Sequence, residues 1–445
     1  MWNFYFLLSS VIIFLFYRDD WKKLAFLILL LIPFFGYIIN TLRPFTNLAP
    51  LFYDLVFLIP LYLLILKKIN KLEVVLPQEL KGIFFLFVVI VFLQSINPFN
   101  PLPITARLIG IKVWLFYLPF IYIGYNLFEK SSDLLKFCRI FSIITIFPCS
   151  LSIIQYFFSI FAGYEVTMNF FYAADVAAAS TQNYAQFNLT PSLTILRTPS
   201  TFTFPTQFGN YLLCSLIPVV TSVYSSQNFK EKNFYRIILI LLLFASVTSG
   251  VRGMYLFIPI FFILFFFQRK NLIFLFLFSS LFFVIFFNFS NNFSFIAEYI
   301  YDLSIHYMVF FIEGFGINEI KDITGHGVGT STGAVRYVID QSIIQDGGVN
   351  ESYYAKIFYE LGLFGLCVLI IFYIQIYRQF SKCSKIYMNS DISAFVHSSK
   401  ALLLIILVAG IKGYYINLFP IDFLFYLLLG IIIKLNFLDN YEKKY

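Results

Sequence analysis

Residues able to do chemistry are concentrated in one polar stretch, from about residue 288 to residue 366. Its glycine-rich part reads Gly325-His326-Gly327-Val328-Gly329-Thr330, Arg336 follows, and Asn350-Glu351-Ser352 stands where the next apolar block begins. Imidazole and carboxylate groups can accept a proton, and a guanidinium group can bind an anionic ligand. Because apolar blocks flank this stretch, its ionisable residues are the first candidates for function.

Glu351 and His326 are the two candidates for a general base. A carboxylate at a helix start close to the membrane is well placed to take a proton. The alternative is structural, because Asn350 is a good N-cap and an acid in the first turn complements the helix dipole. His326 can likewise serve as a hydrogen-bonding residue in a loop that glycines shape. Glu360 lies more than two helical turns beyond Glu351 and is interpreted as structural beside Gly362.

Three arginines, Arg197, Arg252 and Arg336, are predicted to form an outward-facing cationic pocket. Arg252 stands in Thr248-Ser249-Gly250-Val251-Arg252-Gly253, a polar turn whose glycines let the backbone approach a ligand. Guanidinium groups bind phosphate oxygens in a bidentate manner, which lysine does less well. The alternative for Arg252 is a tight outer turn with an incidental arginine.

The elements that must position these residues are apolar helices. The chain of 445 residues is 60% hydrophobic and only 12% charged, and its apolar runs are long enough to cross a bilayer. We therefore predict an all-α, polytopic integral membrane protein, a single transmembrane domain over residues 1–445 with about 12 to 13 transmembrane helices. The predicted crossings lie near residues 3–17, 24–39, 48–66, 80–96, 107–128, 137–162, 205–227, 234–249, 254–267, 272–288, 355–377, 400–411 and 421–433.

Most of the 31 lysines and arginines fall in one set of alternate loops and in the C-terminal tail. That bias predicts the cytoplasmic side, and it explains the net charge of +8 without any nucleic-acid partner. Two long loops, residues 163–204 and 289–354, are then predicted to face outward. Arg43 and Lys356 break the charge bias, and we interpret both as residues that snorkel from helix ends.

No metal site and no cofactor are expected. The predicted outer loops hold neither a cluster of histidines and cysteines nor an Asp-x-Asp pair. The pair Asp19-Asp20 could imitate an acidic metal site, but its neighbours Arg18, Lys22 and Lys23 place it on the cytoplasmic side.

Several of these motifs together resemble the O-antigen polymerase/ligase superfamily. They are the loop Gly325–Thr330, the polar run Asn350–Tyr353 and the helix opening Glu360-Leu-Gly-Leu-Phe-Gly-Leu. The turn at residues 248–253 resembles the Ser-x-Arg-Gly segment of that family, and Arg197 matches the arginine of its earlier outer loop. The resemblance covers roughly residues 190–375 by motif and the whole chain by helix layout.

The resemblance implies a metal-independent glycosyltransferase at the outer face of the bacterial inner membrane. Donor and acceptor would be oligosaccharide units on undecaprenyl pyrophosphate, and the product O-antigen, capsule or exopolysaccharide. Ligases of the superfamily usually carry a His-Asn pair where the loop meets the helix. This chain has Asn350-Glu351 there, which favours a polymerase, and a chain-length regulator protein is a partner compatible with that function.

Two alternatives remain open. One is an O-antigen ligase of the same superfamily. The other belongs to a different class, a flippase or transporter of lipid-linked oligosaccharide. Flippases typically have internal repeats, discontinuous helices in matching positions and short loops on both sides. Two long loops on one predicted face argue for the enzyme.

Overall fold

The computed structural model describes residues 2–46, 49–68, 76–171, 186–190, 193–269, 315, 323–332, 335, 352–388, 390–411, 413 and 415–442. Its helices are α1 (Trp2–Phe16), α2 (Trp21–Leu42), α3 (Ile59–Lys68), α4 (Gln78–Ser95), α5 (Ile104–Leu115), α6 (Pro119–Leu127), α7 (Ser131–Ala162), α8 (Tyr164–Phe171), α9 (Pro205–Ser225), α10 (Phe229–Thr248), α11 (Arg252–Gln268), α12 (Tyr353–Ile386), α13 (Ser393–Ala409) and α14 (Ile421–Glu442). A 3-10 turn and a π-helical turn, Ala49–Leu51 and Asp54–Leu58, precede α3.

Eight helical stretches in the described part of the chain are long and apolar enough to cross a membrane. Large apolar side chains such as Phe85 and Phe161 are exposed on these helices, as expected for helices that contact lipid. This agrees with a multi-pass membrane protein. The eight stretches are Trp21–Leu42, Ala49–Lys68, Gln78–Ser95, Ile104–Leu127, Ser131–Ala162, Pro205–Ser225, Tyr353–Ile386 and Ile421–Leu438.

Each predicted apolar block overlaps described helical structure, except residues 272–288, which lie outside the described residues. Residues 107–128 are divided between α5 and α6. The helix ends follow local signals. The Asp20 side chain caps α2 by accepting hydrogen bonds from the backbone N–H groups of Lys22 and Lys23. At the C-terminal end of the long helix α7, Gly163 adopts a φ of +86° and ends the helix.

The first predicted loop, residues 163–204, holds more regular structure than expected. Its start is helix α8, and two antiparallel strands follow, β1 (Gln186–Thr190) and β2 (Leu193–Leu196). Gln186 pairs with Leu196, and Phe187 pairs with Ile195. The predicted all-α architecture therefore holds for the helices that make up most of the described chain, and this short hairpin is its exception.

The second predicted loop, residues 289–354, lies largely outside the described residues. Helix α12 begins at Tyr353, and the hydroxyl of its N-cap Ser352 accepts a hydrogen bond from the backbone N–H of Ala355. The expectation that Asn350 caps this helix and that Glu351 lies in its first turn is therefore wrong, since the first turn holds no acid. A serine hydroxyl supplies the same kind of cap two residues later.

The chain divides into two compact units. The first comprises residues 1–73, 126–258 and 389–398, and the second comprises residues 74–125, 259–388 and 399–445. In the first unit α7 packs against both α9 and α10. In the second unit α12 packs against α4 and α14. We call them the arginine unit and the glycine-loop unit, after Arg197 and after residues 323–332.

Candidate functional site

The residues predicted to act in the site fall in different parts of the fold. Arg197 follows strand β2, and Arg252 is the first residue of α11, both in the arginine unit. His326 lies in the glycine-loop unit. Arg336, Glu351 and the side chain of Arg252 lie outside the described residues. Their predicted roles therefore stay predictions.

The turn at Gly250 lies directly against Arg197. Gly250 has a φ of +62°, and a Cβ built on it would lie 2.7 Å from Arg197 Cγ and 2.9 Å from Leu196 O. Glycine avoids both the strain and the close contact. From α8, the Tyr164 hydroxyl donates to Arg197 O at 3.1 Å. Since Arg252 begins its helix two residues after Gly250, the structure brings the chain at both arginines to one turn.

The segment that follows Arg197 is buried and rich in hydroxyl groups. The Ser152 hydroxyl on α7 lies 2.6 Å from Thr198 Oγ1 and 2.9 Å from Thr248 Oγ1. Thr198 also donates to Thr248 O at 2.9 Å. These bonds satisfy buried hydroxyls, and they hold Arg197 at a fixed place between α7 and the end of α10.

Ser200 is the second anchor of this segment. It is a non-glycine residue with a φ of +54°, an uncommon conformation that costs free energy. Gln155 on α7 holds this turn from both sides, since it accepts from the Ser200 backbone N–H at 2.9 Å and donates to Ser200 O at 3.2 Å. The Ser200 hydroxyl donates to Pro148 O at 2.6 Å. A strained turn fixed by buried polar side chains is typical of functional sites.

In the glycine-loop unit, helix α12 is broken at Gly362, whose φ of +73° and ψ of −178° are not helical. The break leaves carbonyl groups of the preceding turn without partners along the helix. Residues of the glycine-rich segment supply backbone donors instead. The backbone N–H of His326 donates to Tyr359 O at 2.8 Å, and the backbone N–H of Gly327 donates to Glu360 O at 3.1 Å. Non-helical backbone at membrane depth is tolerated where protein buries it.

Side-chain amides hold the same segment from its other side. One belongs to α4 and two to the residues that follow α4. They donate as follows: Gln94 to Thr324 O at 2.6 Å, Asn97 to Gly325 O at 2.8 Å and Asn100 to Val328 O at 3.0 Å. These contacts give the segment a fixed path.

Glu360 is fully buried and joins this segment to the rest of the unit. Its carboxylate accepts from Trp114 Nε1 at 2.7 Å, from the Ser331 backbone N–H at 2.9 Å and from the Thr332 hydroxyl at 2.9 Å. These contacts agree with the structural interpretation of Glu360. Lys356 Nζ lies 5.3 Å from the centre of the Trp114 ring and interacts electrostatically with Glu360.

The expectation that Lys356 snorkels to a surface is wrong, because its side chain is buried. The Trp114 ring and the Glu360 carboxylate, one helical turn away, stabilise the ammonium group inside the protein. Arg43 differs: it caps the end of α2, is half-buried and lies 5.7 Å from the centre of the Phe204 ring. A helix-end position agrees with its predicted role.

The imidazole of His326 packs in parallel on the Tyr359 ring, with 4.0 Å between the ring centres. Only 9% of the residue is exposed. Stacking and the backbone hydrogen bond to Tyr359 support the structural interpretation of His326. Its role as a base stays a prediction.

Sequence reasoning missed the polar face of α7. Ser152, Gln155 and Ser159 follow one another at spacings of three and four residues within an apolar helix. That spacing places them on one side of a helix, and all are buried. Polar residues inside a transmembrane helix are a signal of interhelical contacts or function, so this signal was present in the sequence.

Comparison with protein-family models, curated protein sequences and solved structures finds no match. A functional interpretation therefore depends on the geometry of these residues and on the motifs of the chain.

Proposed function

We propose that the protein is a glycosyltransferase that polymerises oligosaccharide repeat units carried on undecaprenyl pyrophosphate. The observation that supports this most is the contact between Arg197 and the Gly250 turn, which leads into Arg252. Two arginines at one turn, backed by the buried segment of residues 198–203, make a rigid base for a cationic site. Such a site suits a diphosphate, because guanidinium groups match phosphate oxygens in a bidentate manner.

The chemistry requires stabilisation of a leaving group. When the bond between the anomeric carbon and the pyrophosphate oxygen breaks, the bonding electrons leave with the lipid-linked diphosphate. Positive groups already held in place stabilise this charge without reorganisation. The hydrogen bonds of Ser152 and Gln155 to the Arg197 segment supply that fixed placement, and Arg336 would add a third cation.

The second requirement is a base. The hydroxyl oxygen of the acceptor sugar attacks the anomeric carbon, and its proton must pass to a group of the protein. We assign this role to Glu351, since it directly precedes the N-cap of α12, and we keep His326 as the second candidate. The product is the acceptor lengthened by one unit and free undecaprenyl pyrophosphate.

The setting follows from the same proposal. The lipid carrier approaches from the bilayer, and the site faces the outside of a bacterial inner membrane. The apolar helices that could cross a membrane are compatible with a lipid-linked substrate. A chain-length regulator is a partner that this reaction can use.

The deciding experiment is reconstitution of the purified protein in vesicles with undecaprenyl-pyrophosphate-linked repeat units. A polymerase produces a ladder of lipid-linked glycans with two or more units, and Arg197→Ala abolishes the ladder while the protein still inserts. Transfer to an acceptor other than the lipid-linked unit would instead indicate a ligase. The proposal would be overturned if no glycan longer than one unit formed with any acceptor.

One observation favours a second candidate, a transporter of lipid-linked oligosaccharide. Discontinuous helices occur around transport sites in secondary transporters, and α12 is broken at Gly362 beside the buried Lys356 and Glu360. The same vesicles separate the two functions. A transporter moves the labelled lipid-linked unit across the bilayer without lengthening it, whereas a polymerase lengthens it on one side.

A further inference from the structure

One face of α2 lies along the end of the buried segment in the arginine unit. A Cβ built on Gly36 would lie 2.6 Å from Thr201 O. Arg43, seven residues further along α2, reaches the Phe204 ring. Asn40 stands between these two positions and, four residues after Gly36, lies on the same helical face. The geometry therefore places Asn40 beside residues 201–204.

Two buried polar residues of this region, Asn40 and Thr201, differ from the hydrogen-bonded hydroxyls near them. Each is only 2% exposed. Among the residues that the structure describes, neither the amide oxygen nor the amide nitrogen of Asn40 has a hydrogen-bond partner, and the Thr201 hydroxyl has none. By contrast, the hydroxyls of Thr198 and Ser200 are bonded. A buried polar group without a partner costs free energy, which points to a ligand that supplies the missing bonds.

The chemistry of these groups defines the ligand. An amide offers both donors and an acceptor, and a threonine hydroxyl offers a donor and an acceptor. A sugar hydroxyl has the complementary groups, since it also donates and accepts. Arg197 lies four residues before Thr201 on the same segment, so a sugar bound here would stand close to the predicted diphosphate site.

We propose that Asn40 and Thr201 form a saccharide subsite that binds hydroxyl groups of the sugar attached to the diphosphate. This inference rests on the proposed function, because it assigns the sugar to the same substrate whose diphosphate Arg197 binds. The subsite selects the glycosylated lipid over the lipid carrier alone. It would thereby favour binding of the donor over retention of the undecaprenyl pyrophosphate that the reaction releases.

The test uses the full-length protein in detergent with two probes: undecaprenyl pyrophosphate carrying one repeat unit, and undecaprenyl pyrophosphate alone. We expect the parent protein to bind the glycosylated probe more tightly. Asn40→Leu and Thr201→Val remove the polar atoms at similar volume, and each should weaken binding of that probe about three- to tenfold, the effect of one or two hydrogen bonds. Binding of the sugarless probe should not change.

Thermal melting of the ligand-free variants separates this role from a packing role. Because these polar atoms have no hydrogen-bond partners among the described residues, Asn40→Leu and Thr201→Val should melt no lower than the parent, and the glycosylated probe should raise their melting temperature less. Thr221→Val is the matched control, since the buried Thr221 hydroxyl is bonded to Ile217 O at 2.7 Å within α9. It should leave the preference between the two probes intact.

The outcomes separate the subsite from the proposed function. If the parent protein binds both probes equally, or if both variants keep its preference, the subsite is wrong while polymerisation can still stand. The subsite would also be wrong if the variants melted at lower temperatures than the parent and lost affinity for both probes to the same extent. If the parent prefers the glycosylated probe through Asn40 and Thr201 but never lengthens it, the subsite holds and the polymerase proposal fails.

Discussion

Trp114 donates its indole N–H to Glu360 at a distance of 2.7 Å, and this buried bond joins α5 to α12 two residues before the helix breaks. The same carboxylate accepts from Ser331 and Thr332 of the glycine-rich segment. One side chain thus connects α5, the turn of α12 before the break and the glycine-rich segment that packs against the break.

Glu360→Gln is expected to destabilise the protein by about 2 kcal/mol, since hydrogen bonds to a charged acceptor contribute about 1.5–3 kcal/mol each. The new NH₂ group is a donor, and it would face another donor in either orientation: the Trp114 indole N–H in one, and the Ser331 N–H and Thr332 hydroxyl in the other. Thermal unfolding in detergent measures the effect. Glu79→Gln on the exposed first turn of α4 is the control and should change stability by less than about 0.5 kcal/mol. Equal melting temperatures for both variants would contradict the role of Glu360.

Gly362→Ala should lower the melting temperature by several degrees, because φ at this position is positive and the added Cβ would lie 2.5 Å from Ile323 O. A conformation of this kind costs about 1–3 kcal/mol for residues other than glycine, and the close contact adds to it. Gly82→Ala is the matched control, since among the described residues no atom outside its own stretch of helix lies within 4 Å of a Cβ built on Gly82. Gly82 lies inside α4, where alanine stabilises a helix by up to about 1 kcal/mol. A Gly362→Ala protein as stable as the parent would show that the break is not obligatory.

Arg197→Lys and Arg252→Lys should each retain little polymerase activity, because lysine keeps the charge but loses the bidentate contact to phosphate. Loss of one donor to a developing negative charge typically costs about 10²–10³-fold in rate. The assay is the glycan ladder in reconstituted vesicles. Arg236→Lys, an exposed arginine bonded to Asn233 on α10, should remain fully active. Full activity of both site variants would reduce the arginines to general surface charge.

Glu351→Gln tests the general base. The amide keeps the size and hydrogen bonding of the side chain but cannot accept a proton at neutral pH, so the rate of polymerisation should fall about 10²–10⁴-fold. Glu165→Gln, an exposed acid on α8, is the control. Activity of the Glu351 variant within a few-fold of the parent would leave His326→Gln as the next variant to assay.

The predicted sides of the membrane can be tested with single cysteines in a variant whose native cysteines are replaced. A cysteine at position 175, in the first predicted outer loop, should react with an impermeant thiol reagent added to intact cells. A cysteine in place of Ser390, between α12 and α13, should react only after the cells are opened. Reaction of position 390 in intact cells would reverse the predicted topology and move the site to the other side.

The sequence by itself determined where the long apolar helices lie, although not the short helix α8. Apolar runs of membrane-spanning length must satisfy their backbone groups internally, so they become helices whatever surrounds them. Local signals were also sufficient to identify the Gly250 turn, because a glycine beside a polar arginine between two apolar runs indicates a close backbone approach. The sequence placed the cap of α12 two residues too early, since Asn350 and Ser352 are both good caps.

The tertiary structure alone decided which polar groups meet. The partners of Glu360 come from residues about 30 and about 250 positions away, and no local pattern encodes such contacts. The burial of Lys356 likewise depends on tertiary contacts, because only the folded chain places the Trp114 ring and the Glu360 carboxylate where they stabilise its charge. Asn40 and Thr201 likewise gain significance only in the folded chain, where packing buries them without partners in the part of the chain that the structure describes. In the unfolded chain water supplies those hydrogen bonds.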